Sequence, residues 1–460
     1  MNESRRGFIR RTCCTAAALG VASSFSRFGL VHALAQSAAD FKALVCVFLF
    51  GGNDSNNMIV PMDTQSYANY HAIRGALSSG GLALDQAALL PIALKNAQQG
   101  SIAFGLHPNL RELRDLFNSE KLAFLANVGT LSQPVTRAQY LAKSLPVPDN
   151  LFSHSDQQAQ WQTSRVAGIS PTGWAGRVAD NLQPIFNANS TFPPVTTVAG
   201  TAIFGTGEQT QPFAMIPGTT PGLFGFDGSA ASSARFQSLQ ELLTLDTGIS
   251  LIQSASSITS GALTNSRTLS AALASVGNLG TQFPNSGIGA QLLQAAKILK
   301  VRDALGLSRQ VFFCSLGGFD THFNQIPAQQ NLYSQLSPAL NAFYNATVEL
   351  GINQQVTTFT MSDFSRTFQP DSVSGTDHAW GGIQMILGGA VRGGDMYGKL
   401  PTFALAGPDD SGSNGRWIPT IAIDQYGATL ASWFGVSAAN LNAIFPNLDH
   451  FQTSNLGFLG

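Results

Sequence analysis

Four stretches of the chain are apolar at consecutive positions: Leu44–Phe50, Leu122–Val128, Val311–Leu316 and, with more mixed character, Val356–Met361. Short unbroken runs of this kind predict strands covered on both faces, the condition of a parallel sheet. Between the runs, apolar residues recur at helical spacing. Leu110, Leu113, Leu116 and Phe117 precede the second run, and Leu292, Leu293, Ala296, Ile298 and Leu299 precede the third. Leu332, Leu336, Leu340, Phe343 and Tyr344 separate the third from the fourth. Alternating strand and helix predicts an α/β fold of three layers around a mainly parallel central sheet.

Residues 197–287 break the rhythm. They are rich in Ser, Thr, Ala, Gly and Gln, with helix-compatible stretches at Ala231–Leu245 and Ser266–Val276. We read them as a mostly helical insertion or lid within a single α/β domain spanning residues 40–455. A low-complexity linker is the rival reading, against which the recurring Leu and Ile still offer an apolar face.

Composition adds the compartment. Hydrophobic content of 44% supports a full core, while 46 glycines and only 11% charged residues point to long ordered loops of the kind common outside the cytoplasm. The chain opens Ser4-Arg5-Arg6-Gly7-Phe8-Ile9-Arg10, continues mildly apolar from Thr12 to about Phe25, and reaches a small-x-small site at Ala33-Leu34-Ala35. This order predicts a twin-arginine signal over residues 1–35, with Arg10 where lysine is usual. It implies the twin-arginine translocase as a partner during export and a periplasmic or secreted mature protein. No later apolar run reaches the ~18 residues of a membrane span. Removing the signal leaves 20 basic against 25 acidic residues and takes the net charge from −1 to −5, which argues against nucleic acid as a partner. Cys46 and Cys314 lie inside strand runs and read as buried apolar residues, able to pair only if those strands are neighbours.

Chemistry concentrates where strands end. Gly317-Gly318-Phe319-Asp320-Thr321-His322 follows the third run, and in extended chain Asp320 and His322 face the same way, as joint metal ligation requires. A turn-capping aspartate is the plainer alternative. Ser362-Asp363-Phe364-Ser365-Arg366 follows the fourth run, so Asp363 would meet Asp320 at one sheet edge if the strands are adjacent, with Arg366 as an anion clamp or a partner for Asp363. In Gly375-Thr376-Asp377-His378 the adjacent acid and imidazole point apart, and His378 is the one expected at the shared site. Asp54, in Gly51-Gly52-Asn53-Asp54 after the first run, is either a ligand or a turn residue; the segment has neither a P-loop lysine nor a dinucleotide fingerprint. Ser155 beside His154 is a candidate nucleophile or a helix cap, in a chain without the G-x-S-x-G elbow of serine esterases.

Taken in order, Leu49–Asp54, Gly105–Asn109, Phe152–Trp161, Gly317–His322, Thr360–Thr367, Gly375–Gly382 and Leu387–Gly398 resemble the exported bacterial family called domain of unknown function 1501. That family is held to be similar in fold to the alkaline phosphatase and sulfatase superfamily. The resemblance implies an alkaline-phosphatase-like fold and a metal-dependent hydrolase of phosphate or sulfate esters, acting on a small anionic ester. On the same fold it also allows a catalytically inactive binding or surface-assembly protein. It implies a divalent metal (zinc, manganese or calcium), with Asp54 and Asp363 as ligands of one ion, Asp320, His322 and His378 as ligands of a second, and Ser155 as nucleophile. Phe364 stands where the superfamily usually has a histidine, and Asp320 and His322 are closer together than its usual Asp/His pair.

Overall fold

The computed structural model describes residues 41–95, 103–219, 222, 226, 228–245, 248–371 and 374–460. The export segment expected over residues 1–35 lies outside them.

Among the described residues, twelve strands form two sheets. In chain order they are β1 (Lys42–Phe50), β2 (Ile59–Pro61), β3 (Leu90–Ile92), β4 (Phe104–Leu106), β5 (Leu122–Gly129), β6 (Val195–Thr197), β7 (Phe213–Ala214), β8 (Arg309–Gly317), β9 (Val356–Ser362), β10 (Gly382–Gly388), β11 (Met396–Gly398) and β12 (Ile421–Ala422). The large sheet runs β11-β5-β10-β9-β1-β8-β6-β7, with β12 also on β5; β2, β4 and β3 make a small antiparallel sheet. In the large sheet only β10 runs against the rest, pairing antiparallel with both β9 and β5. The four runs read as strands are β1, β5, β8 and β9, and the sheet is mainly parallel.

β1 shows why the unbroken apolar run was informative. Ala43, Val45, Val47 and Leu49 enter one core, with the helices Arg111–Asn118, Gly287–Lys300 and Gln325–Glu349. Leu44, Cys46 and Phe48 enter the other, with the helices Trp174–Phe186 and Ile423–Phe434. Alternate side chains of a strand point to opposite faces, so two apolar cores require an apolar residue at every position. The result is three layers, helix, sheet and helix. The same pleat separates the cysteines. β1 and β8 are neighbours and Val47 lies opposite Cys314, but Cys46 belongs to one core and Cys314 to the other, so the two thiols stay free and buried.

Within residues 197–287 the chain first returns to the sheet as β7, then forms the helices Ala230–Leu243 and Ser250–Ala274. Among the described residues no helix is long and apolar enough to cross a membrane.

Candidate metal centre

β1, β8 and β9 are adjacent and parallel, so the chain leaves all three at one edge of the sheet. The glycines there permit close approach: Gly51 has φ of +113°, and a Cβ on it would stand 2.3 Å from the backbone nitrogen of Asp320. Gly375 likewise lets the loop before His378 pack on His322, where a Cβ would meet the His322 carbonyl carbon at 2.1 Å.

Four side chains converge at this edge: His154, Asp320, His322 and His378, whose ligating atoms all lie within 4.8 Å of one another. His322 Nε2 is 2.9 Å from His378 Nε2 and 3.0 Å from Asp320 Oδ1. His154 Nε2 and His378 Nε2 stand 3.4 and 3.7 Å from the same oxygen. The cluster is open to solvent, with the Asp320 side chain 48% exposed and His322 39%.

The outer ring nitrogens settle how two imidazoles are protonated. His154 Nδ1 lies 2.6 Å from Asp363 Oδ2, and His378 Nδ1 lies 2.7 Å from the Phe152 carbonyl oxygen. Both neighbours only accept, so each Nδ1 carries a proton, and in the neutral ring each Nε2 is the atom left free to act as a ligand. The hydrogen bond to Asp363 raises the pKa of His154 against the effect of burial, whereas burial, with the charges nearby, lowers that of His378. Burial alone would raise the pKa of Asp320, but Arg366 and the imidazoles of His154 and His322 hold it below the usual carboxylate range.

Local sequence explains the arrival of His154. Asn150 and Phe152 have left-handed backbones, φ +47° and +75°, which turn the chain into a helix beginning at His154. Ser153 and Asn150 hold Asp156 in its first turn, and the turn aims the Phe152 carbonyl at His378. Gln158, four residues on and therefore on the same helix face, joins His154 on Asp363 Oδ2 at 2.7 Å. That i, i+4 pair was the sequence signal for His154, which the reading above treated only as Ser155's neighbour.

The structure brings Asp320, His322 and His378 together and separates the other candidates. Asp363 is fully buried and stands behind the cluster: Oδ1 accepts from the Gly51 backbone and Oδ2 from His154 and Gln158, so it orients a ligand where direct ligation was expected. Asp54 lies outside the cluster. It caps the short helix Ser55–Met58, forms a buried ion pair with Arg74 at 2.5 Å, and accepts from Gln325. Arg366 is buried, and its guanidinium donates to Asp320 Oδ1, to the Gly51 carbonyl and to Thr376. Ser155 is exposed, and its hydroxyl bonds to Ser153 and Asp156; among the described residues it makes no hydrogen bond to an imidazole. Asp377 pairs with Arg416, as its orientation away from the site required.

The arrangement suits a cation. His154 Nε2 is buried without a hydrogen-bond partner and stands 3.4 Å from a carboxylate oxygen, an arrangement completed by a proton on Nε2 or by a bound cation. Tetrahedral zinc with ligand bonds of about 2.0–2.2 Å sets its ligands ~3.3 Å apart. The 2.9–3.7 Å contacts above bracket that spacing.

A family model described as "Protein of unknown function (DUF1501)" matches residues 41–418. No curated protein matches the chain in sequence. Among solved structures, the PsFucS1 sulfatase from Pseudoalteromonas sp. is similar at 10% identity and TM-score 0.36, covering 94% of this chain and 73% of that one. The lipoteichoic acid synthase LtaP from Listeria monocytogenes is similar at 8% identity and TM-score 0.33, covering 87% and 74%. The soluble domain of lipooligosaccharide phosphoethanolamine transferase A from Neisseria meningitidis is similar at 8% identity and TM-score 0.31, covering 86% and 88%. Neither fold nor activity follows from scores this low.

Proposed function

The chain belongs to the DUF1501 family, whose name assigns no reaction, and from the geometry of the site we propose that it is a metal-dependent hydrolase of small anionic esters. His154, Asp320, His322 and His378 would hold one divalent ion. Three imidazole nitrogens and one carboxylate suit zinc, whereas calcium prefers an all-oxygen shell. A bound divalent ion supplies Lewis acidity to an ester oxygen and lowers the pKa of water. The protein's part is to orient the donors: Asp363 and the Phe152 carbonyl fix two tautomers, and Arg366 holds Asp320 ionised and in place. The ion would add two positive charges beside two acidic groups already countered by Arg366 and, through Asp377, Arg416. A phosphate or sulfate ester complements such a site better than a neutral ester does.

Convergence of three imidazoles and one carboxylate, with ligating atoms within 4.8 Å of one another, carries this reading. The location of Ser155 favours water as the attacking group. It equally supports a non-catalytic alternative in which the ion serves binding or surface assembly. Export to the periplasm or beyond, through the twin-arginine translocase, is part of the proposal and rests on residues 4–35.

The test is metal analysis of the full chain reconstituted with zinc, manganese or calcium, with p-nitrophenyl phosphate and p-nitrophenyl sulfate as substrates. One zinc per chain, lost in the His322→Ala/His378→Ala double variant, is expected. Absence of saturable metal binding defeats both readings; stoichiometric metal without hydrolysis leaves the alternative.

A further inference from the structure

A cavity of about 320 Å³ lies where the helix Ser250–Ala274 meets the helix Gly287–Lys300, and none of its lining residues belongs to the metal cluster. Its volume falls at the lower end of small-molecule sites, which run from roughly 300 to 1,000 Å³. Leu273, Ala274 and Val276 supply an apolar wall.

Gln294, Lys297 and Lys300 also line the cavity. Gln294 is buried, 3% exposed, and its Oε1 accepts from the Gly218 backbone at 3.4 Å. This sets the amide orientation, because a flipped carboxamide would place its NH₂ against the Gly218 N–H. Gln294 lines the cavity, and its Nε2 is buried and makes no hydrogen bond. Lys297, three residues further along the same helix face, is half-buried and has no hydrogen-bond or ion-pair partner among the described residues. Lys300 donates to the carbonyls of Gly277 and Asn278, so those acceptors on the rim are already taken. A buried amide donor and an unpaired ammonium beside apolar surface are complemented by one ligand chemistry, an anionic head on a short apolar body.

We propose that this cavity between the helical insertion and the body of the domain binds a small amphiphilic anion, a carboxylate or phosphate headed by Gln294 and Lys297 with its apolar tail against Leu273, Ala274 and Val276. The site is independent of the metal centre. A ligand there would bridge two helices and tie the insertion to the core.

Titration calorimetry of the full chain with octanoate, hexyl phosphate and the neutral octanamide tests it. At least one anion binds at one site per chain, the stronger of the two identifies the headgroup, and octanamide binds at least tenfold more weakly. Lys297→Met and Gln294→Leu each weaken the preferred anion at least tenfold while leaving the metal content unchanged. If Gln294→Leu fails to fold, Lys297→Met decides alone. No saturable binding of either anion, equal affinity for octanamide, or undiminished affinity in Lys297→Met overturns the proposal.

Discussion

Asp363→Asn is the sharpest probe of the proposed metal centre, because it changes the hydrogen-bond polarity behind the site and leaves every proposed ligand in place. In the native chain one carboxylate accepts three hydrogen bonds, from the Gly51 backbone at 3.1 Å, His154 Nδ1 at 2.6 Å and Gln158 Nε2 at 2.7 Å. An asparagine in the same place keeps one acceptor oxygen. If that oxygen stays on Gly51, its NH₂ faces two donors, His154 Nδ1–H and the Gln158 amide. The contact with His154 is relieved when the imidazole moves its proton to Nε2, which withdraws a lone pair from the cluster. Loss of such an outer-shell partner typically costs 10–100-fold in metal affinity, or about 1.4–2.7 kcal/mol. Competition between the protein and a chromophoric zinc chelator measures this directly, with His154→Ala setting the effect of losing the ligand outright. Asp363→Asn should fall between wild type and His154→Ala. Wild-type affinity in Asp363→Asn, with His154→Ala impaired, would refute the orienting role; wild-type affinity in both would remove His154 from the ligand set.

Further expectations follow from the residues that the fold places elsewhere. Asp54→Ala leaves Arg74 buried without a counter-ion and should destabilise the fold by about 3–5 kcal/mol in urea unfolding, while the folded fraction keeps its zinc; loss of zinc at native stability would restore Asp54 as a ligand. Ser155→Ala should keep metal affinity and any ester hydrolysis within about twofold, because its hydroxyl bonds to Ser153 and Asp156; a hundredfold loss with a trapped covalent adduct would make it the nucleophile. Two buried groups outside the cluster should give opposing pH dependences. Burial lowers the pKa of His107 to about 4, so below about 6.5 the unfolded chain takes up a proton that the folded chain refuses, and stability falls with acid by ~1.4 kcal/mol per pH unit until about 4. Burial raises the pKa of Asp424 to about 6, so between about 6 and 3.8 the folded chain is the one that takes up the proton, and acid stabilises it at a similar rate. Asp424→Asn should therefore steepen the loss of stability between pH 6 and pH 4, and His107→Leu should reverse its sign; parallel urea midpoints for all three proteins across that range would show that neither group titrates as described.

Much of the scaffold is legible in the sequence. A strand buried on both faces needs an apolar residue at every position, and β1, β5, β8 and β9 announce themselves that way. β10 was missed because Gly382–Gly388 begins in a glycine-rich loop and carries Gln384, whose side chain is buried against Thr360. At the site, Asp320 and His322 were legible because their side chains alternate past Thr321, and His378 because it and Asp377 must diverge. These are local properties, set by backbone geometry over two or three residues.

Partner choice across the chain was not legible. Asp54 and Asp363 both follow parallel neighbouring strands, yet one meets Arg74 in a buried ion pair and the other meets His154, 209 residues away, through a hydrogen bond. Cys46 and Cys314 lie on adjacent strands and are kept apart by a one-residue register difference, which places them on opposite faces of the sheet. Strand order and register are settled only when the cores on both faces close together, and the same closure decides which carboxylate faces solvent beside three imidazoles and which is spent on holding the fold.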